Sequence, residues 1–187
     1  MKTHLLKKSL LIFILPFLAI SATTFIEPPE AEITNGLITA KLYLPDAENG
    51  YYRGSRFDWS GVISDLQYKG HSYYGQWFPK YDPRLHDAIM GPVEDFLPVG
   101  FDEAKPGESF LKIGIGILER PDTAKYFIVT QYPILNAGHW KVETKPDKVT
   151  FMHTLKDSTY SYDYTKTVEL IKGKPEMVIS HVLKNSG

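Results

Sequence analysis

Residues 160–170 show the most restrictive pattern in this sequence, a period of two. Alternate positions hold large apolar or aromatic residues, namely Tyr160, Tyr162, Tyr164, Val168 and Leu170. The positions between them are polar, and Lys166 is the single exception on the apolar side. Because successive side chains of a strand point to opposite faces of a sheet, this pattern predicts a half-buried antiparallel β-strand.

Much of the remaining chain also alternates, and no window has a sustained helical period with caps. Further strands are predicted at Leu37–Leu44, Val62–Tyr68, Ser72–Phe78, Lys112–Glu119, Tyr126–Tyr132, His139–Thr144, Val149–Leu155 and Met177–Leu183. Lys69-Gly70-His71 predicts a hairpin, because glycine readily adopts the positive φ of a tight turn. About eight or nine short strands predict an all-β fold, an antiparallel sandwich or barrel.

Asp82–Gly107 is the segment that fits a strand least well. It is rich in Pro and Gly, and a short helical turn is predicted near Leu85–Met90. Long irregular segments inside compact domains usually carry function. A loop histidine such as His86, close in sequence to Asp87 and Glu94, can donate or accept a hydrogen bond near neutral pH. We therefore expect a ligand-binding role for His86, although a structural role is equally open.

Residues 1–22 have the three-part organisation of a secretory signal peptide. Three lysines precede an apolar run over 10–20, and small residues follow up to Ala22. The run is too short to span a hydrocarbon core of ~30 Å comfortably. Cleavage after Ala22 leaves 165 residues with 18 basic and 22 acidic side chains, a formal charge of −4. We expect an exported protein, periplasmic or extracellular, with one β-sandwich domain over 23–187 and no membrane attachment after cleavage; an uncleaved anchor is the alternative.

The composition excludes several classes of protein. The absence of cysteine excludes disulfide scaffolds, thiol catalysis and Cys-ligated metals. With 21 basic and 22 acidic residues the formal charge is −1, which argues against a nucleic-acid partner. Metal-ligating spacings and nucleotide-binding fingerprints are also absent. We therefore expect no metal ion and no cofactor.

An aromatic and basic segment over 51–61 is the strongest chemical signal. It combines four aromatic residues with Arg53, Arg56 and Asp58, and the aromatic run 73–78 containing Trp77 follows. Aromatic faces stack on the C–H faces of sugars, while Arg, Asp, Gln and His pair with hydroxyl groups. The segment therefore indicates carbohydrate binding. The alternative is that the aromatics form core and that Arg56 and Asp58 are a structural pair.

The run Gly50–Gly61, followed by Tyr68–His71, resembles the opening of galactose-mutarotase-like proteins. More specifically, it is similar to a divergent, exported bacterial branch of the aldose 1-epimerase-like superfamily. His86–Phe96 and Phe110–Gly116 continue the resemblance. It implies the N-terminal part of an antiparallel β-supersandwich, with a sugar cleft on one concave sheet.

In the epimerases an early Arg and the His of a Leu-His-Gly-Gly motif contact the sugar. The resemblance implies the first role for Arg56 or Arg53 and the second for His86, with Asp87-Ala88 standing where the family has Gly-Gly. It also adds Glu94 as a residue that lines the cleft. The substrate-binding candidates are Arg56, His86, Arg53, Glu94, Trp77 and Asp58.

The family opens the sugar ring with a general-acid His and a general-base Glu. The resemblance implies that both follow Gly187 in chain order, so no catalytic residue is assigned; His153 and His181 lie in strand patterns and are expected to be structural. The terminal Asn-Ser-Gly resembles a turn before a further strand, which predicts a fragment of a longer protein. We expect a carbohydrate-binding protein that is inactive as an isomerase in this chain. The alternative is a complete, non-catalytic exported module that binds a glycan or another envelope partner.

Overall fold

The computed structural model describes residues 27–187, and this part of the chain is all-β. It forms three antiparallel sheets, none of which closes on itself. The N-terminal sheet contains β1 Glu30–Thr34, β2 Ile38–Tyr43, β3 Val62–Tyr68 and β4 His71–Ser72 in that spatial order. The middle sheet contains β5 Ser109–Lys112, β6 Gly116–Glu119 and β7 Ile134–Asn136. The C-terminal sheet contains β8 His139–Lys145, β9 Lys148–Lys156, β10 Ser161–Leu170 and β11 Met177–Asn185.

The N-terminal and C-terminal sheets pack face to face, which makes the fold a β-sandwich. Their shared core consists of Ile33, Ile38, Ala40, Leu42 and Ile63 from one sheet and Val149, Phe151, Val168 and Leu170 from the other. A second core joins the C-terminal sheet to the middle sheet through Leu111, Ile117, Leu155, Tyr162 and Tyr164. The inner face of β10 therefore runs from one core into the other. Lys166 lies between the two sets and is completely buried.

The period-two pattern over residues 160–170 is confirmed by β10, where buried side chains occupy alternate positions from Tyr162 to Leu170. The hairpin at Gly70 and the strands predicted at Leu37–Leu44, His139–Thr144, Val149–Leu155 and Met177–Leu183 are confirmed with small shifts of their ends. The expected helical turn is a 3-10 turn over His86–Ala88. β1 was not predicted by the sequence pattern, although it pairs with β2 over its whole length.

Three predicted strands are wrong in part or completely. Lys112–Glu119 is a hairpin between β5 and β6, because Gly114 and Gly116 adopt positive φ angles of 76° and 136° that a continuous strand does not accommodate. Ser72–Phe78 is extended only at its start, since the Ser72 hydroxyl donates to the Tyr74 carbonyl and the chain leaves the sheet.

Tyr126–Tyr132 contains no strand, and β7 lies in the segment that was predicted to be a connection. The Phe127 N–H donates to the Tyr132 hydroxyl, and the Thr130 N–H donates to the Phe127 carbonyl. The rings of Tyr126 and Tyr132 stack with their centroids 5.4 Å apart. Local turn bonds and aromatic packing thus replace strand pairing here.

The irregular segment 82–107 is held along the sheets by backbone hydrogen bonds. Arg53 N–H donates to the Pro83 carbonyl at 2.7 Å, and Asp58 N–H donates to the Glu94 carbonyl at 3.0 Å. Val99 then forms an isolated antiparallel bridge with Leu111 of β5. These bonds bring the 82–107 segment against the aromatic and basic segment 51–61.

The proposed leader over 1–22 lies outside the described residues. Within residues 27–187, no helix is both long and apolar enough to cross a membrane.

Candidate functional site

A charged cluster lies where β10, β11 and the middle sheet meet the segments 51–61 and 82–107. We use this name for Arg56, Asp58, Glu94, Asp95, Lys112, Lys166 and His181. Three carboxylates face three cationic side chains and one histidine. Because the chain brings opposite charges together at the junction of two cores, buried charges obtain partners there.

Glu94 occupies the centre of one half of the cluster. One carboxylate oxygen accepts from the Lys166 ammonium group, and the other lies 2.8 Å from Nε2 of His181. Lys166 is fully buried and also donates to the Ser60 carbonyl at 2.9 Å. The imidazole of His181 stacks on Tyr164 with the ring planes 6° apart. Glu94 is therefore held by a buried cation on one side and a partly exposed histidine on the other.

Asp95 organises the other half of the cluster. Its carboxylate accepts from Nε of Arg56 at 2.9 Å and from Nζ of Lys112 at 3.0 Å. Lys112 also donates to the Tyr126 hydroxyl at 3.1 Å. Burial lowers the pKa of the Lys112 ammonium group, and the Asp95 carboxylate opposes that shift. Arg56 lies over the ring of Phe57, with its guanidinium carbon 4.5 Å from the ring centroid.

Asp58 forms the floor of the cluster and is buried. Its carboxylate accepts from the Ser60 hydroxyl at 2.6 Å, from the Ser60 N–H at 2.9 Å and from the Tyr164 hydroxyl at 2.8 Å. Burial raises the pKa of Asp58, and the nearby Lys166 opposes that shift. Gly114 makes the close approach possible, because a Cβ atom there would lie 2.5 Å from the Asp58 carboxylate.

The cluster has a buried base and a partly exposed upper side. The side chains of Lys166 and Lys112 are 0% and 1% exposed, whereas those of Arg56, Asp95, Glu94 and His181 are 20%, 29%, 19% and 36% exposed. Asp95 and Glu94 are thus held by buried lysines and in turn hold Arg56 and His181, which reduces the ordering cost of binding a polar ligand. Within residues 27–187, no group of three or more His, Asp or Glu side chains is arranged to hold a metal ion.

An open cleft of about 530 Å³ lies beside the same 51–61 segment. We call it the arginine cleft, and its lining includes Arg53, Ser55, Trp59, Arg84, Tyr132 and Ile134. Segment 51–61 contributes side chains to both the cleft and the charged cluster. Arg53, Ser55 and Trp59 line the cleft. Arg56 and Asp58 belong to the cluster, and Ser60 donates to Asp58.

The six candidate residues from the sequence do not form one site. Arg56, Asp58 and Glu94 meet in the charged cluster, and Arg53 lies in the arginine cleft. No hydrogen bond, ion pair or ring contact within the described chain joins His86 or Trp77 to the cluster. His86 pairs with its neighbour Asp87 at 3.1 Å, and Trp77 is 66% exposed and packs on Phe78.

The alternative that Arg56 and Asp58 form a structural pair is wrong, although the aromatics of segment 51–61 do belong largely to the core. Arg56 pairs with Asp95, not with Asp58, because Asp58 turns into the core towards Ser60 and Tyr164. Tyr51, Tyr52 and Trp59 are buried in the core that surrounds Phe110. Most aromatics of this segment are therefore core residues and do not form an exposed stacking surface.

Four members of the cluster were not among the candidates predicted from the sequence, namely Asp95, Lys112, Lys166 and His181. The sequence contains a signal for one of them, because Lys166 is the only charged residue on the apolar face of the alternating strand over 160–170. His181 lies opposite Lys166 in the β10–β11 register, so it points to the same face. The sequence contains no comparable signal for Asp95 and Lys112, because their ion pair depends on how the irregular segment 82–107 packs on β5.

A second polar group, the histidine network, lies nearby on the inner face of the C-terminal sheet. The His153 ring is 1% exposed and stacks on Trp140 with centroids 4.1 Å apart. Nε2 donates to the Ala137 carbonyl and Nδ1 accepts from the Tyr162 hydroxyl, both at 2.9 Å. Gly114 N–H donates to the same hydroxyl at 3.2 Å. Burial lowers the pKa of His153 to about 4, so the network is uncharged at neutral pH.

Comparison of the chain with family models, with curated protein sequences and with solved structures finds no match.

Proposed function

We propose that this protein binds a carbohydrate through the partly exposed side of the charged cluster. The observation that carries the proposal is the fixed arrangement of Arg56, Asp95, Glu94 and His181 over two buried lysines. Each of these four side chains is already oriented by an ion pair or a hydrogen bond before a ligand arrives. Preorganised polar groups bind a neutral polyol with little additional loss of side-chain entropy.

The chemistry of the cluster matches the needs of sugar hydroxyl groups. A hydroxyl group both donates and accepts, so it pairs best where acceptors and donors alternate. Glu94 and Asp95 are acceptors and Arg56 is a donor, while Nδ1 of His181 is the ring nitrogen that is not bonded to Glu94. Phe57 lies directly below the Arg56 guanidinium group and supplies an aromatic neighbour.

The resemblance to galactose-mutarotase-like proteins supports the same function. Two of the positions that it implies, Arg56 and Glu94, lie in the cluster. On this proposal the chain binds sugar without opening its ring, because none of the matched motifs supplies the family's catalytic acid and base. Purified protein is therefore expected to leave the rate of α-D-glucose mutarotation unchanged in polarimetry, whereas an acceleration lost in Glu94→Gln would assign catalysis to the cluster.

Binding is tested by isothermal titration calorimetry with D-galactose, D-glucose and oligosaccharides. Arg56→Gln and Asp95→Asn are expected to weaken binding about tenfold or more, because each removes a charged hydrogen-bonding group. Glu143→Gln is the matched control, since Glu143 forms an exposed ion pair with Lys141 on β8. Unchanged sugar affinity in both cluster variants, or no sugar binding at all, contradicts the proposal.

The alternative, a module that binds an extended glycan or another envelope component, is favoured by a different observation. Tyr73, Trp77 and Leu97 are 53%, 66% and 79% exposed. Exposed aromatic faces suit stacking on a polymer chain. In co-sedimentation with insoluble polysaccharide, Trp77→Ala should abolish binding under this alternative, and Leu97→Ala is the control for a general loss of exposed apolar surface.

We also propose export, which depends on the leader pattern over 1–22. Cell fractionation and the intact mass of the recovered protein test this. A mass corresponding to a chain that begins near residue 23 supports export, and full-length protein in the cytoplasm contradicts it.

A further inference from the structure

We propose that the arginine cleft is a separate binding site for a small organic carboxylate. The lining residues carry positive charge without compensation, because Arg53 and Arg84 are present and Asp and Glu are absent from the lining. Neither arginine forms an ion pair with a carboxylate anywhere in residues 27–187. This contrasts with Arg56 and Lys112, which are both neutralised by Asp95.

Arg53 is fixed by two hydrogen bonds that leave part of its guanidinium group without a partner. Its backbone N–H donates to the Pro83 carbonyl, and Nη1 donates to the Glu48 carbonyl. Nε is buried and has no hydrogen-bond partner in the described chain. A buried donor without a partner is unfavourable, so a ligand acceptor that the Arg53 side chain turns to meet would remove that penalty. The Nε and Nη2 edge is the edge that pairs with the two oxygens of a carboxylate.

Arg84 is placed in the cleft by the same backbone contact. It follows Pro83 directly, and its N–H donates to the carboxylate of Asp82 at 2.9 Å. That bond uses the main chain and leaves the guanidinium group of Arg84 without an acidic partner. The two arginines therefore converge from adjacent backbone segments on one cleft.

The size of the cleft indicates that the carboxylate is carried on a carbon skeleton. The lining is mixed, with Trp59, Tyr132 and Ile134 beside the polar Ser55 and Gln131, and the cleft of about 530 Å³ lies within the range of small-molecule pockets, roughly 300–1,000 Å³. A cleft of this size with two cationic groups and a partly apolar lining suits a ring-sized organic acid, whereas a small inorganic ion would leave most of the cleft filled with water.

This site is independent of the proposed carbohydrate site, so its probe is chosen to contain no hydroxyl groups. Cyclohexanecarboxylate is titrated at low ionic strength by ligand-observed NMR, with cyclohexanecarboxamide as the neutral counterpart of the same shape. We expect saturable binding of the acid, no binding of the amide, and weakening with added salt because the pairing is ionic. Inorganic phosphate is the third probe and is expected to bind more weakly than the acid.

Two substitutions separate a specific site from general attraction to a basic surface. Arg84→Gln is expected to raise the dissociation constant about tenfold without unfolding the chain, because within residues 27–187 the Arg84 side chain forms no ion pair. Arg84→Lys keeps the charge but loses the planar fork, and should recover only part of the affinity. Lys172→Gln removes an exposed charge from the β10–β11 connection and is the control.

The proposal is overturned if the acid does not bind, if the amide or phosphate binds as tightly, or if Arg84→Gln and Arg53→Gln both leave the affinity unchanged. None of these outcomes depends on sugar binding. Loss of sugar affinity in Asp95→Asn with retained affinity for the acid would establish that the two sites are distinct.

Discussion

Two groups of polar side chains lie at the inner face of the C-terminal sheet, and one of them is uncharged whereas the other is held by ion pairs. In the histidine network every ring nitrogen and hydroxyl of His153 and Tyr162 has a neutral partner. In the charged cluster the pairs are ionic, and the exposed members Arg56 and His181 have further capacity for hydrogen bonds. A neutral, fully paired network stabilises a unique arrangement, whereas a charged group with an open side is available to a ligand.

Gly114 lies between the two groups and contacts a member of each. Its N–H donates to the Tyr162 hydroxyl, while its Cα lies against the carboxylate of Asp58. Its φ of +76° belongs to the left-handed region that favours glycine. One turn between β5 and β6 therefore supports both groups. Variants that change only one of the two groups therefore test whether the histidine network contributes stability and the charged cluster contributes ligand binding.

The largest effect is expected from Lys166→Met. The substitution removes the buried cation that pairs with Glu94, and it leaves the Ser60 carbonyl without its donor. Breaking a buried pair by removing one partner destabilises a protein by about 3–5 kcal/mol. Urea unfolding followed by tryptophan fluorescence measures the loss.

The control for Lys166→Met is Lys141→Met, which breaks the exposed pair with Glu143 and should leave the free energy of unfolding unchanged within error. A loss below about 1 kcal/mol in Lys166→Met would mean that the cluster does not depend on its buried cation. A double variant with Glu94→Gln should recover part of the loss, because the unpaired negative charge is then absent.

The second effect is a pH dependence that arises in the histidine network. The pKa of His153 falls from 6.5 to about 4 on folding, mainly because burial disfavours the imidazolium ion. The unfolded chain therefore binds more protons between those values, so stability is fully present above pH 6.5 and decreases as the pH falls towards 4. The shift corresponds to about 3 kcal/mol.

His153→Gln retains hydrogen-bonding capacity but does not titrate. We expect urea midpoints of the variant to change much less than those of the native protein between pH 7 and pH 4.5. His71→Gln, which changes an exposed histidine in the β3–β4 hairpin, should retain the native pH dependence. Equal pH slopes in the native protein and in His153→Gln would show that His153 does not carry the effect.

The fold could largely be predicted from the sequence because strand burial alternates regularly. Residues 160–170 and 149–155 confirm this, since their buried positions alternate and are apolar or aromatic except at His153 and Lys166. The hairpin at Gly114 was predicted as one strand, because an alternation of Ile and Gly fits both a strand and a turn. Only the positive φ angles distinguish them, and the pattern does not contain that information.

The site was less predictable, for a different physical reason. Arg56, Asp58 and Glu94 were chosen for their residue types, but their partners come from distant parts of the chain. Lys166 lies 72 residues after Glu94 and meets it only because the irregular segment 82–107 is bonded to segment 51–61, next to the inner face of β10. His86 and Trp77 had equally suitable chemistry, yet their positions give them local contacts only.

The smallest expected effect on stability is that of His181→Gln, and it separates the two groups most sharply. His181 is 36% exposed and pairs with Glu94 at the open side of the cluster. Partly exposed pairs contribute about 0–1 kcal/mol, so the unfolding curve should move little at pH 7. Sugar affinity should nevertheless fall, because the stacked ring and its hydrogen bond orient Glu94 towards the ligand side.

His153→Gln is the matched variant for this last comparison, because it changes the same residue type on the same sheet. It should reduce stability and leave the sugar affinity of the folded protein unchanged, which is the reverse of His181→Gln. Both variants are measured by urea unfolding and by calorimetric titration at pH 7. The proposal is contradicted if both variants lower stability and neither changes sugar affinity. In that case the charged cluster is a second structural network, and its partial exposure has no role in holding a ligand.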